Sequence, residues 1–127
     1  MPEETCSALV VSASDVLRET IATFIVQSDL GVDEVFCASN RTEAAQICRR
    51  IQVDILVAED LLQLRRGEGQ PAATLIVGPP SADKIQQFLD RGASAYLVKP
   101  FSRENLAQEV RLALAGQAAA GQAMQVS

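Results

Sequence analysis

Few residues in this chain are equipped for chemistry. There is no His, the three cysteines (Cys6, Cys37, Cys48) form no Cys-x-x-Cys pair, and no nucleophile is paired with a base. That pattern offers neither a catalytic triad nor a zinc site. Gly-x-Gly-x-x-Gly and P-loop spacings are also missing, which argues against a nucleotide-dependent enzyme. What remains are the 16 carboxylates and the 11 Lys and Arg residues, among them the adjacent acids Glu59 and Asp60. Adjacent residues on a strand point to opposite faces, so Glu59 and Asp60 cannot share one site unless the strand ends or bulges between them.

The elements that must position these residues follow from apolar periodicity, which switches repeatedly between short β-rich runs and helix-spaced stretches. Strands are predicted over Ala8–Val11, Val32–Ala38, Ile55–Ala58, Thr74–Val77 and Ala95–Val98. The first helix opens at Ser14 or Asp15 and presents Val16, Leu17, Ile21, Phe24 and Ile25 on one face. Asn40 with Glu43 resembles a capping box before a helix with Ala44, Ile47, Cys48 and Ile51 inward. Ser81 caps a helix that closes at Gly92, and Ser102 caps a last helix carrying Leu106, Val110, Ala113 and Leu114 and ending before Gly116. Residues 1–116 therefore form one domain and 117–127 a frayed tail or linker. The stretch from Asp60 to Ala73 has room for about two helical turns at most, so the helix expected there is shortened or absent.

This alternation is that of a flavodoxin-like, doubly wound α/β fold, a five-stranded parallel sheet of expected order 2-1-3-4-5 with its ligand site at the carboxyl ends of the strands. Apolar residues make up 48% of the 127 residues and Trp is absent, so Val, Ile, Leu and Ala must fill the core. Cys37 and Cys48 are expected to be buried and inert. The formal charge of −5 disfavours nucleic acid or an anionic membrane as a direct partner, and Arg49-Arg50 and Arg65-Arg66 are isolated pairs. No apolar run approaches a bilayer span and the first residues lack signal-peptide order, so a cytoplasmic protein with a protein partner is expected.

Three segments resemble the receiver family of two-component response regulators, the CheY-like domains: Leu9-Val10-Val11 with Arg18, Val53 to Ala58, and above all Arg91 to Phe101 with its Gly-Ala pair, aromatic strand residue and Lys-Pro-Phe. The resemblance covers about Ser7 to Ala115. It implies a signalling domain, not an enzyme, whose relatives move a phosphoryl group onto an Asp of their own with the help of Mg²⁺.

Carried over residue by residue, that machinery is largely missing. Ser12 and Ala13 stand at the positions of the metal-binding acidic pair, with Asp15 the weak alternative ligand for Mg²⁺. Glu59 stands at the phosphoacceptor position, with Asp60 the alternative under a shifted alignment. Gly78 replaces the switch Ser or Thr, Tyr96 matches the switch aromatic, Lys99 is the retained lysine, and Pro100 is the candidate for a turn or cis peptide. The resemblance therefore implies a degenerate receiver that uses no cofactor and signals by phosphorylation-independent contacts. The alternative is an atypical receiver phosphorylated on Asp60 or Glu59 with Mg²⁺. The expected partners are a kinase, an effector domain or a second copy, met through the family's fourth helix, fifth strand and fifth helix or through residues 61–64. A salt bridge between Glu59 and Lys99 would imitate part of the phosphorylated state.

Overall fold

Each helix starts where a short polar side chain can accept a hydrogen bond from the first turn, and each strand is an apolar run with few polar interruptions. The computed structural model describes residues 6–62 and 69–120. Its order is β1 (Ser7–Val11), α1 (Asp15–Gln27), β2 (Glu34–Ala38), α2 (Arg41–Arg50), β3 (Ile55–Ala58), β4 (Ala73–Gly78), α3 (Ala82–Asp90), β5 (Ala95–Val98) and α4 (Arg103–Ala120). The strands form one parallel sheet, β2-β1-β3-β4-β5, with Val11 beside Ala58 and Gly78 beside Val98 at its carboxyl edge. The flavodoxin-like class and strand order expected from the sequence are those observed.

The helix caps have the chemistry read from the sequence. Ser14, Ser81 and Ser102 accept from the backbone N–H groups of Leu17, Lys84 and Asn105 at 3.2, 3.3 and 3.0 Å. Asn40 accepts from the Glu43 N–H at 2.9 Å, while the Glu43 carboxylate reaches back to the Ser39 N–H and hydroxyl, both at 2.8 Å. Such caps each contribute about 1 kcal/mol and fix where the chain enters the helix.

Strand alternation divides the core into two layers. Val10, Ile55, Val57, Leu75, Val77 and Leu97 pack with Ile21 and Ile25 of α1 and Leu106 and Val110 of α4. On the other face Leu9, Leu56 and Ala58 meet Ala44 and Cys48 of α2. Burying each large aliphatic side chain is worth about 1.5–3 kcal/mol, and these layers hold the carboxyl ends of β1, β3, β4 and β5 in register.

Several expectations need correction. Val16 is 74% exposed, because it lies one residue, or 100° of helix, away from the Leu17, Ile21, Phe24 and Ile25 stripe. Cys37 is exposed because β2 is an edge strand covered incompletely, whereas Cys48 is buried. The second strand begins at Glu34, with Asp33 instead tied through its carboxylate to the Cys6 N–H at 2.8 Å. The last helix continues past Gly116 to Ala120, through the strongly helix-forming run Gln117 to Ala120. Among the described residues the connection from β3 to β4 carries no helix, as expected. Leu61 and Leu62 are half-buried there, and Leu64 lies outside the described residues.

The end of that connection packs on the turn between α2 and β3 and on the last turn of α2. Ala72 N–H donates to Val53 O at 2.9 Å, and the Gln52 side-chain amide donates to Gln70 O at 3.3 Å. Gly69 lies so near the Cys48 carbonyl that a Cβ at this position would overlap its oxygen.

Candidate functional site at the carboxyl edge of the sheet

The chain leaves β3 at Ala58, and the two acids that follow diverge. Glu59 turns toward β1 and β5. Its Oε1 accepts from Ser12 Oγ at 2.9 Å, and its Oε2 accepts from Lys99 Nζ at 2.7 Å. Asp60 turns toward the start of α2: Oδ1 accepts from the Leu61 N–H at 2.8 Å, and Oδ2 is 3.6 Å from Arg41 Nη2. Glu59 is thus the acid that faces Lys99.

Ser12 is buried and fully engaged. Its N–H donates to Ala38 O at 3.1 Å, its carbonyl accepts from Arg18 Nη1 at 2.8 Å, and its hydroxyl also accepts from the Ser14 N–H at 3.1 Å. Arg18 in turn pairs with Asp15. Asp15 is therefore committed to its own helix, and Ala13 lines the same cleft as Ser12 and Glu59 without a donor atom.

The sequence did not reveal two of these partners, Arg18 for the Ser12 carbonyl and the Ser12 hydroxyl for Glu59. The i,i+3 spacing of Asp15 and Arg18 was the available signal for the first. The second arises only when β1 and β3 are paired.

Lys99 and Glu59 are 36% and 39% exposed in their side chains, so their pairing is a half-solvated one worth on the order of 1 kcal/mol or less. Its weight is positional: both carboxylate oxygens are occupied. The Lys99 ammonium beside it, opposed by partial burial and helped by the Ser12 hydroxyl, holds the Glu59 carboxyl below the usual carboxylate range. A depressed carboxyl contributes stability that is complete above its unfolded-state value, about 4.3, and is lost as pH falls through the folded value. Between about pH 5 and pH 3, urea denaturation should show a steeper loss of stability for the wild type than for Glu59→Gln, with a difference at neutral pH of under about 1 kcal/mol. Parallel pH profiles would contradict the pairing.

Among the described residues that line this cleft, the carboxylates are Glu59 and Asp60 alone. Among the described residues no cluster of three or more His, Cys, Asp or Glu side chains that could hold a metal exists, and Glu59 Oε2 holds the Lys99 ammonium.

At the end of β4, Gly78 O accepts from the Lys99 N–H at 2.8 Å, and the Lys99–Pro100 peptide is cis. The Tyr96 ring lies over Gly78, its hydroxyl donating to Pro79 O at 2.7 Å and its ring centroid 6.1 Å from that of Phe88. A Cβ on Gly78 would overlap the Tyr96 hydroxyl and lie 3.1 Å from Cζ. The absent side chain is what admits the ring, and burial raises the Tyr96 hydroxyl above its ordinary pKa.

No protein-family model and no curated protein matches the chain. Its similarity is to solved structures, and those are consistently receiver domains. Vibrio cholerae chemotaxis protein CheY4 is 20% identical with a TM-score of 0.69, covering 87% of this chain and 100% of that one. A CheY-like response regulator receiver domain protein from Methanospirillum hungatei is 19% identical with a TM-score of 0.71, covering 91% and 98%. A response regulator receiver modulated diguanylate cyclase from Pelobacter carbinolicus is 24% identical with a TM-score of 0.71, covering 92% and 98%. These likenesses establish the receiver fold.

Proposed function

We propose that this chain is a receiver-type signalling module whose state is set by its own side chains and read by a protein partner, without phosphoryl transfer. The observation that carries this reading is the Glu59 carboxylate, bonded at one oxygen by Lys99 and at the other by Ser12. Attack on phosphorus needs a carboxylate oxygen placed in line with the leaving group, and rates fall steeply when it is displaced. Here the side chain at the acceptor position is Glu, one methylene longer than Asp, tied by Lys99 and Ser12, and Tyr96 occupies the space over Gly78. The ammonium, the acid and the inward ring together resemble a switch held in one position.

The partner surface consistent with this reading is the one formed by α3, β5 and α4, which correspond to the family's fourth helix, fifth strand and fifth helix. Leu89, Val98 and Leu112, at 40%, 36% and 56% exposure, come one from each of these elements. A kinase, an effector domain or a second copy of the chain fits this surface. The half-buried Leu61 and Leu62 form the second candidate contact. Among the described residues no helix is long and apolar enough to cross a membrane.

Titration with beryllofluoride and Mg²⁺, followed by amide NMR, tests the reading. Beryllofluoride mimics a phosphoryl group on a free carboxylate, so the amides of Glu59, Gly78 and Lys99 are expected to stay in place. Saturable shifts at all three would show that the carboxylate is available after all.

A further inference from the structure

We infer that Arg18 is a positioning residue for the set state proposed above: acting through Ser12, it holds Glu59 in place and couples the first turn of α1 to the acceptor position. The inference rests on the reading of Glu59 as a fixed acid.

The contacts form a continuous chain. The Arg18 guanidinium spans two acceptors, Asp15 at Nη2 and the Ser12 carbonyl at Nη1, the latter 2.8 Å away. Its side chain is only 17% exposed, so water competes less for these bonds than for the half-solvated pair of Lys99 and Glu59. A planar guanidinium can fix both acceptors at once, where an ammonium would act as a point charge.

Ser12 passes the constraint on. Its hydroxyl accepts from the Ser14 N–H at 3.1 Å, and its single proton is left for Glu59 Oε1, 2.9 Å away. The turn from Ser12 to Ser14 aims that N–H at the hydroxyl. Two bonds grip this turn at Ser12: its carbonyl accepts from Arg18, and its N–H donates to Ala38 O at 3.1 Å. Without Arg18 the peptide that follows Ser12 is free to tilt, the Ser14 N–H moves with it, and the hydroxyl proton is no longer directed at Glu59.

The test follows the side-chain carboxyl carbon of Glu59 by ¹³C NMR as the pH is lowered. Ser12→Ala removes the hydroxyl and is expected to move the Glu59 midpoint upward. Arg18→Gln is expected to move it the same way. Arg18→Lys, which keeps the charge and one donor, should restore part of the wild-type behaviour. In a Ser12→Ala background either Arg18 substitution is expected to add little, because the group through which Arg18 acts is already gone. The other charged residues that line the two cavities beside Glu59 are Lys99, Asp60, Arg41 of α2, and Lys84 and Arg91 by α3, all unchanged in these variants.

Fully additive shifts would mean that Arg18 acts by its charge alone, and an unmoved midpoint in Ser12→Ala would remove the relay; either result overturns the inference. The smaller change, Arg18→Lys with and without Ser12→Ala, decides the matter if Arg18→Gln does not fold. No phosphoryl mimic enters these titrations. Saturable beryllofluoride shifts in the wild type would therefore count against the proposed function and leave this coupling to be read separately.

Discussion

Replacing Gly78 by Ala is expected to drive Tyr96 out of its inward position. The added Cβ would overlap the Tyr96 hydroxyl, and a β-strand backbone gives way less readily than a ring that can swing toward solvent. The ring would then lose its bond to Pro79 O, worth about 1 kcal/mol, and its contact with Phe88, worth about 0.5–1.5 kcal/mol. Removing a glycine from the unfolded chain returns about 0.4–1 kcal/mol, so the net change in stability is small while the change at Tyr96 is all-or-none.

The composition makes this measurable, since Tyr96 is the only Tyr and there is no Trp. Tyrosine absorbance and fluorescence therefore report on this one ring. In the wild type its hydroxyl should ionise above the ordinary value of about 10, because burial disfavours the phenolate. In Gly78→Ala it should move back toward that value, and acrylamide should quench its emission more strongly. An unchanged titration would mean that Gly78 does not make the room for the ring.

Gly69→Ala is expected to cost about 2 kcal/mol of folding stability, within the usual 1–3 kcal/mol for overpacking a tight contact. The neighbour here is a backbone carbonyl in α2, at Cys48, which cannot rotate aside. The entropic gain from replacing Gly, about 0.4–1 kcal/mol, opposes the loss without matching it. Urea denaturation measures the difference directly. A variant as stable as the wild type would show that the connection from β3 to β4 is not seated on α2.

Much of this architecture could be read in the sequence, because local signals and tertiary packing agree. Ser14, Asn40, Ser81 and Ser102 announce helix starts, and the apolar runs of β1, β3, β4 and β5 are too short and continuous for helices in this setting. Misreadings arose where a local rule met a context it does not contain. Gly116 reads as a helix stop but lies within α4, followed by good helix formers. Cys37 reads as core but lies on an edge strand, and strand order alone does not say how far a helix covers that edge.

The candidate site divides in the same way. Glu59 and Lys99 could be named from the resemblance to receiver domains, and they face one another across 2.7 Å. The sequence marked Gly78 as the loss of a hydroxyl. That the space would be filled by Tyr96 depends on the register of β4 against β5, which sets Ile76 beside Tyr96 and Gly78 beside Val98. The Ser12 hydroxyl on Glu59, the Arg18 guanidinium on Ser12 O and the turn of Asp60 toward Arg41 join residues distant in sequence, and no periodicity encodes them.

Intact-mass spectrometry after incubation with acetyl phosphate, with and without Mg²⁺, bears most directly on whether this receiver fold works without phosphoryl transfer. With Glu at the acceptor position tied to Lys99 and Ser12, and no group of three or more candidate metal ligands among the described residues, the expected result is an unmodified mass under both conditions. A phosphoryl adduct that forms only with Mg²⁺ would contradict that claim and make Glu59 or Asp60 a working acceptor.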